Sequence, residues 1–510
     1  MTLSSLGCDG LTPWQAFRAD LDFVRDVLTA NGIDYFLVRR QDPRPVVVID
    51  LAERERFEAA LASACQAEPF RSRTMRMAKA ARADLAARDI RVDQSVVGSS
   101  VPLAEGRLSP DPEARAFTLY RPRISEHGTL RYDHENGVPV ELWEWDDIRG
   151  QVIAPRPNIL QRHHTPTSEI VRDTVELYGR QWPTLQGMFE PSSLDVTFDI
   201  DIIFSWVDGS SEEYQRQRAA RMASYVVGEG DDHEARFRQI DELKYALRSV
   251  HLFAPWIRNI YIVTDSPRPA WLAEHPKVTL LRSEQFFADT SVLPTHNSHA
   301  VESQLHHIEG LSEHFLYSND DMFFGRAVGP EMFFSPGGVS KFILSETRIG
   351  MGQNHPSRSG FENAARTNRR LLKDRFGVTI TNHLEHAAAP LRRSVLQELE
   401  AEFPEEFART AAAQFRQATD ISVTNSFYHY YALMTGRAVI QPTARVRYVD
   451  TTARQGVKDM KRLLKRRDYD FFCLNDGSFP ELDAMERAEA VLGFLEHYFP
   501  IAAPWESPSD

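Results

Sequence analysis

The chain has 510 residues, 42% hydrophobic and 10% aromatic, which is too long for one ordinary core and too apolar for a disordered protein. Its formal charge of −13 argues against nucleic acid as a partner. Cys8, Cys65 and Cys473 are too few and too scattered for a disulfide framework or a zinc pattern, and no stretch is long and apolar enough to span a bilayer.

Residues 14–30 read as an amphipathic helix, 35–39 and 45–51 as strands, 53–65 as a second helix, and 130–132 and 138–145 as parts of a small β-rich section. Pro155, Pro157, Pro166, Pro183 and Pro191 predict a loop-rich connection after it. No catalytic constellation stands out in this part, so residues 1–195 are expected to form an accessory α+β domain. From residue 196 the pattern alternates strand and helix. An apolar run at 196–207 ends in Trp-Val-Asp-Gly, 239–253 has helical spacing, and 259–264 and 278–281 are short strands. This predicts an α/β domain over 196–500, built on a mostly parallel sheet covered by helices, with a C-terminal tail at 501–510. In such sheets ligands gather beyond the carboxyl ends of the strands.

Residues 315–325 read Phe-Leu-Tyr-Ser-Asn-Asp-Asp-Met-Phe-Phe-Gly. An apolar strand delivers Asp320 and Asp321, preceded by Asn319, to a sheet edge. Buried carboxylates need a partner, and hard oxygen ligands suit Mg²⁺ or Mn²⁺ escorting a substrate phosphate. The plainer alternative is a strand-end turn with two solvated acids. Asp208 and Asp265 fall at comparable strand ends, which favours the metal–phosphate reading.

Four segments resemble the Stealth family of sugar-1-phosphate transferases: DIDIIFSWVDGSSEEY (199–214), the stretch 236–272, LPTHNSHAVESQLHHIEGLSEHFLYSNDDMFFG (293–325) and RVRYVDTTARQGVKDMKRLLKRRDYDFFCLNDG (445–477). Residues 386–407 and 415–420 look like the family too. The resemblance implies a glycosyltransferase-A-like core. It implies transfer of a sugar 1-phosphate from a nucleotide-diphosphate sugar to a glycan hydroxyl, as in capsule or exopolysaccharide synthesis. The implied partners are that donor and a polysaccharide or lipid-linked glycan acceptor. A metal-dependent glycosyltransferase and a catalytically silent glycan-binding protein remain alternatives.

On this reading Asp320, Asp321 and Asp476 hold Mg²⁺ or Mn²⁺. Arg416 steadies the phosphoryl oxygens and Asp420, four residues on, orients it across a helical face. His386 is the base for the acceptor hydroxyl, with His296, His299 and His306 as a rival cluster. Asp201 is placed in the catalytic group, and Trp206, Asp208, Arg236, Glu242, Arg248, Asn297, Glu302, His306 and Asn319 are expected around the substrate. The family usually has arginine where His307 stands, and a proline and an aromatic where Ala387–Ala389 follow His386. With no leader-like N-terminus, the expected location is the cytoplasm or the inner face of its membrane, with at most peripheral attachment. A homodimer is compatible with an accessory module.

Overall fold

The computed structural model describes residues 5–8, 10–209, 240–477 and 480–507. The chain divides into two compact units, Met1–Pro191 and Ser192–Asp510.

The first unit is α+β. Helix α1 (Pro13–Ala30) starts with a capping box between Thr12 and Gln15, Pro13 fills the first turn, and Phe17, Leu21, Val24 and Leu28 are buried along one face. Strands β1 (Tyr35–Val38) and β2 (Val46–Asp50) lead to helix α2 (Arg54–Ala64), and β3 (Arg71–Thr74) leads to α3 (Lys79–Ala87). Then come β4 (Ser100–Pro102), β5 (Ala116–Tyr120), β6 (Val138–Asp146), β7 (Gln151–Ile153) and β8 (His164–Pro166). The presumed loop region is not all loop: β9 (Arg172–Leu177) and β10 (Arg180–Leu185) pair as an antiparallel hairpin. Pro183 sits inside β10 opposite Thr174, and its strand joins β1 only at Thr184–Leu37, where proline's missing donor does little harm. One ten-stranded sheet runs β9-β10-β1-β2-β6-β5-β3-β4, with β7 and β8 attached through β6.

The second unit is α/β. Its central sheet runs β13-β12-β11-β14-β17, where β11 is Ile200–Ser205, β12 Ile260–Val263, β13 Val278–Leu281, β14 His314–Asn319 and β17 Ala389–Arg392. The first four strands are parallel and β17 is antiparallel to β14. Ile202, Ile203, Phe204, Ile260, Ile262, Phe315 and Leu316 are buried, as expected of strands covered on both faces. Helix α4 (Glu242–Phe253) follows β11, and α5 (Ser298–Glu302) precedes β14. After β14 the chain turns at Asp320-Asp321 into β15 (Met322–Phe324), and β16 (Asn382–Leu384) comes just before His386 and β17. A smaller sheet runs β15-β19-β18, with β18 at Val446–Asp450 and β19 at Phe471–Asn475. Helix α6 (Arg454–Arg466) buries Met460 and Leu463 and turns its basic side outward; α7 (Ala484–Tyr498) follows. The segment expected as a tail packs down: Ile501, Ala503 and Trp505 are buried. Among the described residues, no helix is long and apolar enough to cross a membrane.

Candidate active site

The Asp320-Asp321 turn ends the central strand β14 and begins β15, which pairs antiparallel with β19. That pairing sets the turn against the last residues of β19. Leu474 N–H donates to the Asp321 carbonyl at 2.9 Å, Asn475 Nδ2 donates to Asp321 Oδ2 at 3.1 Å, and Cys473 Sγ approaches the same oxygen at 3.4 Å. Asp321 Oδ1 is buried and has no hydrogen-bond partner among the described residues.

Asp476 is next in the chain. Its Oδ1 accepts from Thr451 Oγ1 at 2.8 Å and pairs with Arg487, whose Nε donates to the same Thr451 oxygen at 2.8 Å. Gly477 is needed for a close approach to Asp450. Its N–H donates to Asp450 Oδ1 at 3.1 Å, and a Cβ at this position would stand 2.1 Å from Asp450 Oδ2. Glu242 opens α4, and its Oε2 accepts from Ile240 N–H at 3.0 Å.

These acids repel one another. Burial, then the charges of Asp321 and Glu242, push the Asp320 carboxyl well above its ordinary range. Burial likewise lifts Glu242 to about 7, with Asp476 adding to the rise. Oxygen donors, excess negative charge and one orphaned buried carboxylate oxygen fit a hard divalent cation. The acids do not already converge on one point as tightly as His306, His307 and Glu400, whose ligand atoms lie within 4.8 Å of one another. Glu242 lies between Asp476 and Asp320 electrostatically: the charge of Asp476 acts on it, and its own charge acts on Asp320.

His386 lies on the same flank. Its Nδ1 is 4.0 Å from Cys473 Sγ, and its ring meets Tyr448 edge-on at 5.2 Å. Tyr448 Oη donates to Asn475 Oδ1 at 3.0 Å, so two side chains link the histidine to the Asp321 surroundings. Half-buried Asn319 adjoins the acidic turn, and Asp208 lies just beyond β11, its N–H donating to Ser266 Oγ at 2.8 Å. Trp206 is buried, and its Nε1 has no partner among the described residues.

Other expected site residues serve the fold. Asp201 lies at the start of β11, opposite the acid-bearing strand ends. It is fully buried and accepts from Arg258 Nε and Nη2 at 2.8 and 2.6 Å, Asn259 N–H at 3.1 Å and Ser312 N–H at 2.8 Å. Its carboxylate is saturated, so the catalytic assignment is withdrawn. Arg248 clamps Glu506 with two bonds of 2.7 Å and donates to Phe499 O at 2.8 Å, fastening the C-terminal segment and not a nucleotide.

The helical face proposed for Arg416 and Asp420 does not exist, because residues 413–422 form no helix. Asp420 is buried and accepts from Asn297 Nδ2 at 2.8 Å and Gln417 N–H at 2.9 Å, while Arg416 Nη2 donates to Ser298 Oγ at 2.9 Å. Asn297 is itself buried and caps α5 through His299 N–H at 3.1 Å. Glu302 is buried behind β14, accepting from Thr424 Oγ1 at 2.7 Å and Tyr317 Oη at 3.4 Å. His306 is buried as well, its Nε2 2.7 Å from Glu400 Oε2, which His307 Nε2 shares at 3.0 Å. Asn297, Glu302, His306 and Asp420 are thus buried and hydrogen-bonded within the fold, although Asp420 Oδ1, like Asp321 Oδ1, is buried without a hydrogen-bond partner among the described residues. Arg236 lies outside the described residues.

Sequence reasoning missed Cys473, Tyr448, Thr451 and Arg487 as neighbours of the acids. Tyr448 and Thr451 stand beside Asp450 in a segment already recognised as family-like, which was the available clue; for Arg487 the sequence held none.

Four family profiles match: Stealth protein CR1, conserved region 1, at 198–226; CR2, conserved region 2, at 236–342; CR3, conserved region 3, at 385–433; and CR4, conserved region 4, at 461–510. The chain is 58% identical over 98% of its length to the exopolysaccharide phosphotransferase CpsY of Mycobacterium tuberculosis, covering 90% of that protein. It is 52% identical to an exopolysaccharide phosphotransferase of Nocardia farcinica, covering 97% of this chain and 88% of that one. Among solved structures, the galactosyltransferase LgtC aligns at TM-score 0.29 and 11% identity over 59% of this chain and 96% of its own. The bifunctional glycosyltransferase WbbM aligns at 0.32 and 10% over 64% and 54%. Those two scores are too low to support a functional comparison. The identities to CpsY and its Nocardia counterpart are not, and they make this chain a transferase. Acidic turn, flanking histidine and all four conserved regions coincide in one unit, and the chain belongs to the Stealth protein family.

Proposed function

We propose that the chain transfers a hexose 1-phosphate from a nucleotide-diphosphate sugar, a UDP-sugar in the first instance, to a hydroxyl of a polysaccharide or lipid-linked glycan. The phosphotransferase class rests on the named relatives. The observation that carries the site is the packing of the Asp320-Asp321 turn against Cys473 and Asn475, with His386 alongside.

Asp320, Asp321 and Asp476 would hold Mg²⁺ or Mn²⁺, which when bound neutralises the diphosphate and eases departure of the nucleotide. His386 takes the proton of the acceptor hydroxyl as that oxygen bonds to the sugar-bearing phosphorus. The bond from this phosphorus to the bridging oxygen breaks, and a nucleoside monophosphate leaves with that oxygen. Arg416, half-buried beside Ser298, is the candidate to hold the phosphoryl oxygens; a planar guanidinium binds two at once. Met1–Pro191 is read as an accessory module for acceptor binding or assembly.

Incubation of the purified chain with UDP-sugars, Mg²⁺ and glycan acceptor, with the nucleotides then resolved, tests the reading. UMP supports it. UDP would instead mark a glycosyltransferase, and no turnover over a broad donor and acceptor panel would mark a silent glycan-binding protein.

A further inference from the structure

We propose that Asp84, His163 and His164 in the first unit form a second metal site, for a divalent transition-metal ion such as Zn²⁺. One ligand atom from each of the three lies within 4.8 Å of the others. His163 is 9% exposed, and its Nδ1 is hydrogen-bonded to the Ala154 carbonyl. A carbonyl only accepts, so Nδ1 carries the proton and Nε2 presents its lone pair. Among the described residues that Nε2 has no hydrogen-bond partner, and it is buried. A carbonyl behind the far nitrogen is the arrangement that fixes the tautomer and ring plane of metal-bound histidines.

The other two ligands are placed to meet it. His164 Nε2 is 3.6 Å from Asp84 Oδ1. Asp84 Oδ2 is buried without a hydrogen bond among the described residues and lies 3.3 Å from Arg88 Nη2. Neighbouring residues on a regular strand point to opposite faces. Here a bend at His163, just before β8, brings the two rings to 4.4 Å. Helix α3 docks on the same hairpin through Ala78 N–H to Pro155 O at 3.0 Å, which delivers Asp84.

The nearby guanidiniums are paired with carboxylates, which offsets their repulsion of a dication. Arg88 makes two bonds to Glu144, at 2.6 and 2.9 Å, and Arg115 a third at 2.6 Å. Asp84, Glu144 and Asp146 all act on Arg88, and Glu144 also holds Arg115, so three acids offset the two guanidiniums. Two imidazole nitrogens and one carboxylate suit Zn²⁺, Co²⁺ or Ni²⁺ and not Mg²⁺, and the exposed flank at His164 leaves a position for water. The bound ion would clip α3 to the β7–β8 hairpin.

Chelator-stripped, tag-free full-length protein is titrated with Co²⁺ by visible absorption and with Zn²⁺ against a chromophoric chelator. His164→Asn and Asp84→Asn should each weaken uptake more than about tenfold, whereas His307→Asn should leave it intact. His164→Cys should retain binding and add a thiolate-to-cobalt charge-transfer band, a gain that misfolding cannot mimic. Absence of that band, wild-type uptake unaffected by the two ligand variants, or no uptake by the wild type would overturn the proposal.

Discussion

Asn475 and Asp321 are joined by a 3.1 Å hydrogen bond from Nδ2 to Oδ2 although 154 residues separate them. The bond exists because β15 and β19 pair antiparallel, placing the turn after β14 beside the end of β19. It occupies one oxygen of Asp321 and leaves the other buried without a partner. A carboxylate held in this way is oriented and unsatisfied, which is what a cation site needs and what a stability site avoids.

Asp321→Asn separates those two roles. The amide cannot supply the charge, so transfer should fall by about 100-fold or more, as when a charge-stabilising group is removed from an active site. Metal-free stability should not fall, because one of several mutually repelling acids is gone. Nucleotide release and thermal unfolding of the same preparation check this. A variant that stays active, or one that is inactive only because its melting temperature has collapsed, removes Asp321 from the mechanism.

Glu242 gives the metal-free protein a pH dependence of definite sign. Burial raises its pKa from an ordinary 4.5 to about 7. Between those values the folded state keeps a proton that the unfolded chain has released, so stability is lost as pH rises through the window. The loss is on the order of 3 kcal/mol, and Asp320, raised for the same reasons, acts in the same direction. Glu242→Gln should match wild type near pH 4.5 and exceed it near pH 8. Urea unfolding at both pH values without divalent ions measures the difference; a pH-independent difference would contradict the burial argument. Added Mg²⁺ or Mn²⁺ should shrink the wild-type slope.

Asp201→Asn should do the reverse of Asp321→Asn. Four donors converge on this buried carboxylate, and Arg258 is held up in its charged form chiefly by hydrogen bonding to it. Breaking the pair should cost about 3 kcal/mol while leaving turnover per folded molecule near wild type. Denaturant unfolding paired with kcat on active-site-titrated enzyme decides it; a large drop in kcat at unchanged stability would return Asp201 to the chemistry.

These contrasts show what the sequence makes legible. Strand periodicity places β12 and the acidic turn within a residue or two, because both faces of β12 and β14 are buried along nearly their whole length. It did not say that Asp201 sits at the starting end of β11, since a run that spans both ends of a strand marks neither. The Arg416–Asp420 spacing suggested a helical face only on the premise of a helix; the segment is a loop held by the side chain of Asn297. Arg248 meets Glu506 across 258 residues, a distance no local pattern encodes. The Pro-punctuated stretch hid a hairpin because proline at a lightly paired strand position is as permissible as in a loop.

His386 is tested by what its removal should leave untouched. Its Nδ1 reaches Cys473 Sγ at 4.0 Å, and that sulfur in turn lies 3.4 Å from Asp321 Oδ2, so the imidazole adjoins the acids through a side chain that is itself fully buried. Burial and the neighbouring carboxylates push the Cys473 thiol well up, keeping it protonated and uncharged as a spacer. On the proposed function, a base one side chain away from the candidate ligand oxygens would act on the acceptor hydroxyl without competing for the metal. His386→Asn should therefore lower kcat by about 10² to 10⁴, while Mn²⁺ affinity and donor-nucleotide affinity stay within about twofold of wild type, since lost general-base catalysis removes proton transfer and not binding. Steady-state kinetics across pH together with Mn²⁺ titration by electron paramagnetic resonance separate the two outcomes. A loss of Mn²⁺ binding in step with kcat would make His386 a ligand or a support of the acidic turn, and the base would then have to be sought elsewhere on the same flank.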